Sequence, residues 1–122
     1  GTDERIFPWG NGVATCDFAV VYLTSPGCDT NQTMEVGTKT DGTSPYDAFD
    51  MSGNVSEWTA DFYSDTYYGE SSDANPAGPA TGTSRVVRGG SFLDIGLACR
   101  ASSRLSGSES STTADVGFRC AQ

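Results

Sequence analysis

No long run of this chain places apolar side chains at helical spacing, and that limits its fold more than any other feature. Gly, Ser, Thr, Asp and Asn recur throughout, so turn formers interrupt every apolar stretch. Short strands joined by long ordered loops are what such a pattern allows. The fold class expected is therefore α+β and mostly irregular, and 122 residues fit one domain, 1–122, with a modest core.

The apolar stretches that exist are brief. Phe18-Ala19-Val20-Val21-Tyr22-Leu23 reads as a short buried strand. Arg85-Val86-Val87-Arg88-Gly89-Gly90-Ser91-Phe92 reads as a strand that turns through two glycines. Leu97 to Arg104 and Val116 to Ala121 complete a set of three C-terminal strands joined by polar loops, which predicts a small antiparallel sheet. The aromatic-dense segment from Trp58 to Tyr68 is expected to end a short helix or enter an irregular stretch, and its rings to pack in the core. Phe7-Pro8-Trp9 should dock as an extended segment, and Glu70 to Ser84 should form a long loop.

The chain carries a formal charge of −9 and contains no histidine. The charge argues against nucleic acid and anionic membranes as partners. No apolar run reaches the roughly 20 residues of a membrane span, so membrane insertion is not expected. Without histidine, the usual general base and His-built zinc sites are excluded, while oxygen-ligated calcium and thiolate chemistry remain.

Four cysteines, Cys16, Cys28, Cys99 and Cys120, form one pair near each end of the chain. None shows a CxxC spacing. Of the three possible pairings, Cys16–Cys28 with Cys99–Cys120 is favoured because each closes a local loop. An even count points to an oxidising compartment: secreted, periplasmic or cell surface.

The richest stretch is Asp50-Met51-Ser52-Gly53-Asn54-Val55-Ser56-Glu57-Trp58. Asp50 and Glu57 flank a bend that Gly53 permits, so two carboxylates and the carbonyls between them can converge as calcium ligands do. The alternative is a plain polar turn in which Asp50 caps through Gly53 or Asn54. A Cys16–Cys28 bond would also bring Asp17 and Asp29 together. Two like charges at short range need a cation or solvent, and both readings stay open.

Phe7-Pro8-Trp9-Gly10-Asn11, the Asp50 to Trp58 block, Arg85 to Phe92, Arg100-Ala101-Ser102-Ser103-Arg104 and Gly117-Phe118-Arg119-Cys120 occur in one order along the chain. In that order and spacing they resemble the formylglycine-generating-enzyme (sulfatase-modifying factor) family, over about the C-terminal half of its domain. The resemblance implies a C-type-lectin-like fold with a small central sheet and long loops. It also implies that a missing N-terminal half is a possible partner. It implies calcium held by Asp50, Gly53, Val55 and Glu57, and a second site at Asp17, Phe18, Asp29 and Asn31.

Catalytic members of the family resembled here oxidise a substrate cysteine with O₂, using copper between two cysteines that follow the Gly-Gly-Ser-aromatic block. In this chain Asp94 stands about where the first would be, and the second has no counterpart. Cys99 and Cys120 match the family's structural half-cystines, whose partners lie in the other half. Copper is therefore not expected, since Cu(I) needs soft ligands.

The expected function is a non-catalytic, calcium-stabilised, lectin-like binding module for a protein or glycan. It would present the loops Leu93 to Ala98 and Leu105 to Asp115, with Asp94, Arg100, Ser102 and Arg104 as candidate ligand contacts. Variable ligand-binding proteins made by diversity-generating retroelements, some of which resemble this family over the same strands, are a particular version. The alternatives are a formylglycine-generating oxidase and a structural accessory domain of a larger secreted protein.

Overall fold

A computed structural model describes residues 4–120. Its regular elements are few: β1 (Ser56–Phe62), a single helical turn α1 (Tyr67–Glu70), β2 (Arg85–Arg88), β3 (Leu105–Gly107) and β4 (Val116–Gly117), with 3-10 turns at Thr40–Gly42 and Gly96–Cys99. The strands form one sheet in the order β3-β2-β1-β4.

The sheet is mixed rather than wholly antiparallel. β1 pairs antiparallel with β2, opposing Glu57 to Arg88 and Trp58 to Val87, and β2 pairs antiparallel with β3. β4 lies parallel to β1, with Ser56 opposite Val116. The expected strand at Arg85 is present and ends where Gly89 and Gly90 both take positive φ. At Gly90 a side chain would collide with the Cys99 sulfur, 2.9 Å from where its Cβ would stand. The turn therefore needs glycine for space as well as for conformation.

Other expectations about the elements fail too, each for a tertiary reason. The aromatic stretch beginning at Trp58 is a central strand paired antiparallel with β2, not a helix end, and its rings lie outside the buried core, with Tyr68 54% exposed. Phe18 to Leu23 is buried at Ala19, Val20 and Val21 but forms no strand. Its backbone bonds to scattered loops instead: Asn54 N–H donates to the Val20 carbonyl at 2.8 Å, Cys28 N–H to Val21, and Tyr22 N–H to Asp94. Leu97 to Arg104 is a 3-10 turn and a bend, and the third strand starts only at Leu105.

One core cluster gathers Phe7, Ala14, Ala19, Val21 and Cys99, with Trp9 packed against it. Phe7-Pro8-Trp9 is not extended as expected but turns tightly, with Phe7 and Gly10 exchanging backbone hydrogen bonds at 2.9 and 3.0 Å. Phe7, Trp9 and Phe18 stack in series at centroid distances of 5.0 and 5.3 Å, so the N-terminal aromatics are structural. Loop carbonyls and amides near this core are satisfied by buried polar side chains, as burial demands. Asn54 donates to the Met34 carbonyl and accepts from the Met34 N–H, at 3.1 and 3.0 Å. Ser52 donates to the Cys99 carbonyl at 2.7 Å.

Candidate functional site

Asp50, Gly53, Val55 and Glu57 line one cavity of about 440 Å³, together with Arg119 and Phe118. The bend between the two carboxylates depends on Gly53, whose φ is +79° and whose Cβ would stand 2.7 Å from the Val20 carbonyl oxygen. Gly53 N–H donates to Gly89, which fixes the bend against the end of β2. Asp50 also has positive φ, and its carboxylate accepts from Gly37 N–H at 2.6 Å.

Arg119, two residues beyond β4, reaches into this loop. It donates to both Glu57 carboxylate oxygens, at 2.9 and 2.7 Å from Nε. Its other nitrogens donate to the carbonyls of Phe49 and Asp50, at 2.9 and 2.8 Å. One guanidinium thus gathers carboxylate and carbonyl oxygens of the Phe49 to Glu57 loop. In the sequence Arg119 stands out only as part of the Gly117-Phe118-Arg119-Cys120 block, because nothing local shows that it folds back 62 residues to Glu57.

The two carboxylates on this cavity are hard oxygen donors of the kind calcium takes, although Arg119 already engages both Glu57 oxygens and the Asp50 carbonyl. Glu57 is at the same time the partner of Arg119.

The residues of the second acidic pair are held in separate turns. Asp17 accepts from the Thr15 hydroxyl at 3.2 Å. Asp29 accepts from the hydroxyls of Thr24 and Ser25 at 2.7 and 2.8 Å, and these bonds hold its carboxyl below the usual range. The Phe18 carbonyl lies against Gly42. Asn31 takes positive φ, and its N–H bonds to Pro26. Among the described residues, no group of three or more Cys, Asp or Glu side chains is arranged to hold a metal.

Cys16 and Cys28 form the expected disulfide, with Cα atoms 5.7 Å apart. The expected Cys99–Cys120 bond is absent: Cys99 is buried and Cys120 exposed, both as free thiols. Cys99 sits in the 3-10 turn under Gly90, whereas Cys120 continues past β4 toward solvent, so local spacing was a poor guide to pairing. Burial, with Asp94 nearby, pushes the Cys99 thiol up to about 12. A buried thiol kept protonated and an exposed thiol at the chain's end do not fit a copper site built on two thiolates.

The candidate ligand contacts divide. Asp94 accepts from both the N–H and the hydroxyl of Ser91, at 2.9 and 2.8 Å, and so closes the turn after Gly90. Arg104 donates to Ser64 and lies over the Tyr68 ring at 4.2 Å. Arg100 and Ser102 are exposed. Beside them, Ile95 and Leu97 line a groove of about 500 Å³ with Ile6, Val13 and Leu23, and all five are largely exposed.

The fold and site define a loop-rich domain on a small mixed sheet, in which an acidic bend on the central strand is closed by an arginine from the chain's end. The model of the sulfatase-modifying factor enzyme 1-like domain matches residues 1–122, and the chain belongs to that family. It is 36% identical to a formylglycine-generating enzyme of Thermomonospora curvata over 99% of this chain and 44% of that protein. Among solved structures it resembles Treponema denticola variable protein 1, with a TM-score of 0.74 and 30% identity over 95% of this chain and 41% of the other. It also resembles PvdO from Pseudomonas aeruginosa, with a TM-score of 0.72 and 27% identity over 92% of this chain and 41% of the other. The chain thus spans less than half the length of each of these relatives.

Proposed function

We propose that this chain is a non-catalytic binding module that keeps the family framework and presents the loop Leu93 to Ala98 to a protein or glycan. The observation that carries this reading is the groove formed by Ile6, Val13, Leu23, Ile95 and Leu97. Each of these side chains is more than 40% exposed, and together they line one concavity. Contiguous apolar surface of this kind marks interaction sites, whereas single exposed aliphatics do not. The likeness to a protein named as variable supports a framework whose loops differ between members.

In this reading calcium braces the module. Asp50 and Glu57 with the carbonyls of Gly53 and Val55 would hold it, and the ion would supply positive charge to a loop of converging oxygens. An oxidising compartment is compatible with the disulfide.

The name of the Thermomonospora curvata relative favours a formylglycine-generating enzyme instead, and a peptide assay separates the two. Incubating the protein with Cu(I), O₂ and a cysteine-containing sulfatase-type peptide is expected to leave the peptide mass unchanged. Conversion of the peptide thiol would establish the oxidase. On the binding side, a ligand found by glycan-array or peptide-library screening should be lost on Leu97→Asp while the melting temperature stays the same. Leu97 is 57% exposed, so a charge there disturbs the groove and not the core.

A further inference from the structure

We propose that a second cavity, adjoining the groove at Arg100, takes a carboxylate carried by a protein ligand; this rests on the binding-module reading above. The cavity measures about 250 Å³ and is bordered by Arg88, Arg100, Arg119, Glu57, Trp58 and Met51. Three of the chain's seven basic residues meet there beside one acid, in a chain whose formal charge is −9. The local excess of positive charge runs against the charge of the whole, and a concave wall strengthens its pull on an anion.

Two of the three guanidinium groups are already engaged. Arg88 donates to the carbonyls of Ala101 and Ser103, both at 3.1 Å, and to the Tyr68 hydroxyl. Arg119 is committed to Glu57, Phe49 and Asp50. Arg100 makes no side-chain hydrogen bond or ion pair among the described residues, although its backbone is anchored: Ala101 N–H donates to Ile6 at 2.8 Å and Ser103 N–H to Arg100 at 2.9 Å. A charged fork on a fixed backbone, with no side-chain partner among the described residues, is available for bidentate carboxylate binding.

The dimensions select the ligand. At roughly 30 Å³ per water the cavity holds about eight waters, which is room for one side chain or chain terminus and not for a polymer backbone. Arg100 also lines the apolar groove, so an aliphatic residue seated there places its neighbour's carboxylate at the guanidinium. The ligand class is a peptide bearing an aliphatic residue followed by a carboxylate, either an acidic side chain or a free C-terminus.

An NMR titration of the whole chain tests this with acetyl-Leu-Leu-Glu amide, acetyl-Leu-Leu with a free C-terminus, acetyl-Leu-Leu-Gln amide and N-acetylneuraminic acid. The first two are expected to shift the Arg100, Ala101 and Trp58 indole signals, and the stronger of them shows which source of carboxylate is preferred. Arg100→Gln should weaken both by about tenfold or more, with an unchanged melting temperature, and added salt should weaken them in the wild type. Equal binding of the neutral Gln peptide, or binding indifferent to Arg100→Gln, overturns the carboxylate site while leaving the groove reading intact. A response to the sugar acid alone overturns the peptide assignment, and no response to any probe at millimolar concentration overturns the site altogether.

Discussion

Burial strips the Cys99 thiolate of hydration and Asp94 repels it, so ionisation is pushed from 9.0 up to about 12. Between those values the unfolded chain has released a proton that the folded chain retains. The stability contributed is therefore complete below pH 9.0 and declines as pH rises toward about 12. Its steepest slope is about 1.4 kcal/mol per pH unit. Urea midpoints measured across that interval should fall less steeply in Cys99→Ala than in wild type, and equal slopes would assign the alkaline loss to other groups. Thiol labelling gives a second check. One thiol, that of Cys120, should react in the native protein and two in denaturant, whereas a Cys99–Cys120 bond would leave none. Residue type announced that these sulfurs mattered, but it carried no information on depth, and depth decides their chemistry. The same holds for Asn54, which looked like a turn residue and is the buried link between Val20, Met34 and Phe92.

Among the elements, β1 and the two-residue β4 show how little backbone pairing is needed when a side chain locks it. Arg119, just past β4, ties that strand's end to Glu57 on β1 and to the loop entering it. Arg119 holds the Glu57 carboxylate, and a calcium ion bound as proposed would have to share it, which leads to an expectation of competition. In chelator, Arg119→Gln should lose about 1–2 kcal/mol, discounted because the pair is partly exposed. Added calcium should then raise its melting temperature more than that of wild type, since metal that binds only the folded chain stabilises it by mass action. Thermal melts over a calcium series read this directly, and identical shifts in the two proteins would show that arginine and metal do not share Glu57. At this scale the Val-rich β2 was legible from its composition and its glycine stop. The segment from Phe18 to Leu23 was not, because an apolar run reports burial without saying which backbone will bond to it.

For the molecule as a whole, much of the stability has to come from outside the sheet, because the clustered core of Phe7, Ala14, Ala19, Val21 and Cys99 is built from loop segments. The Cys16–Cys28 bond closes a loop of 12 residues around part of that core. By loop-closure entropy it contributes about 3 kcal/mol. Replacing both cysteines by serine should lower the melting temperature by about 10 °C, as scanning calorimetry would measure. An unchanged transition would mean that the N-terminal segments are held by packing alone.

The sequence by itself determined the family, the scarcity of helix and the Cys16–Cys28 closure. All of these rest on local residue patterns or on short separations along the chain. Tertiary structure alone decided that β4 runs parallel to β1, that Cys99 is buried apart from Cys120, and that Arg119 completes the acidic loop from 62 residues away. In a chain with so few regular elements, long loops choose their partners by fit in three dimensions. Spacing along the backbone places almost no limit on that choice.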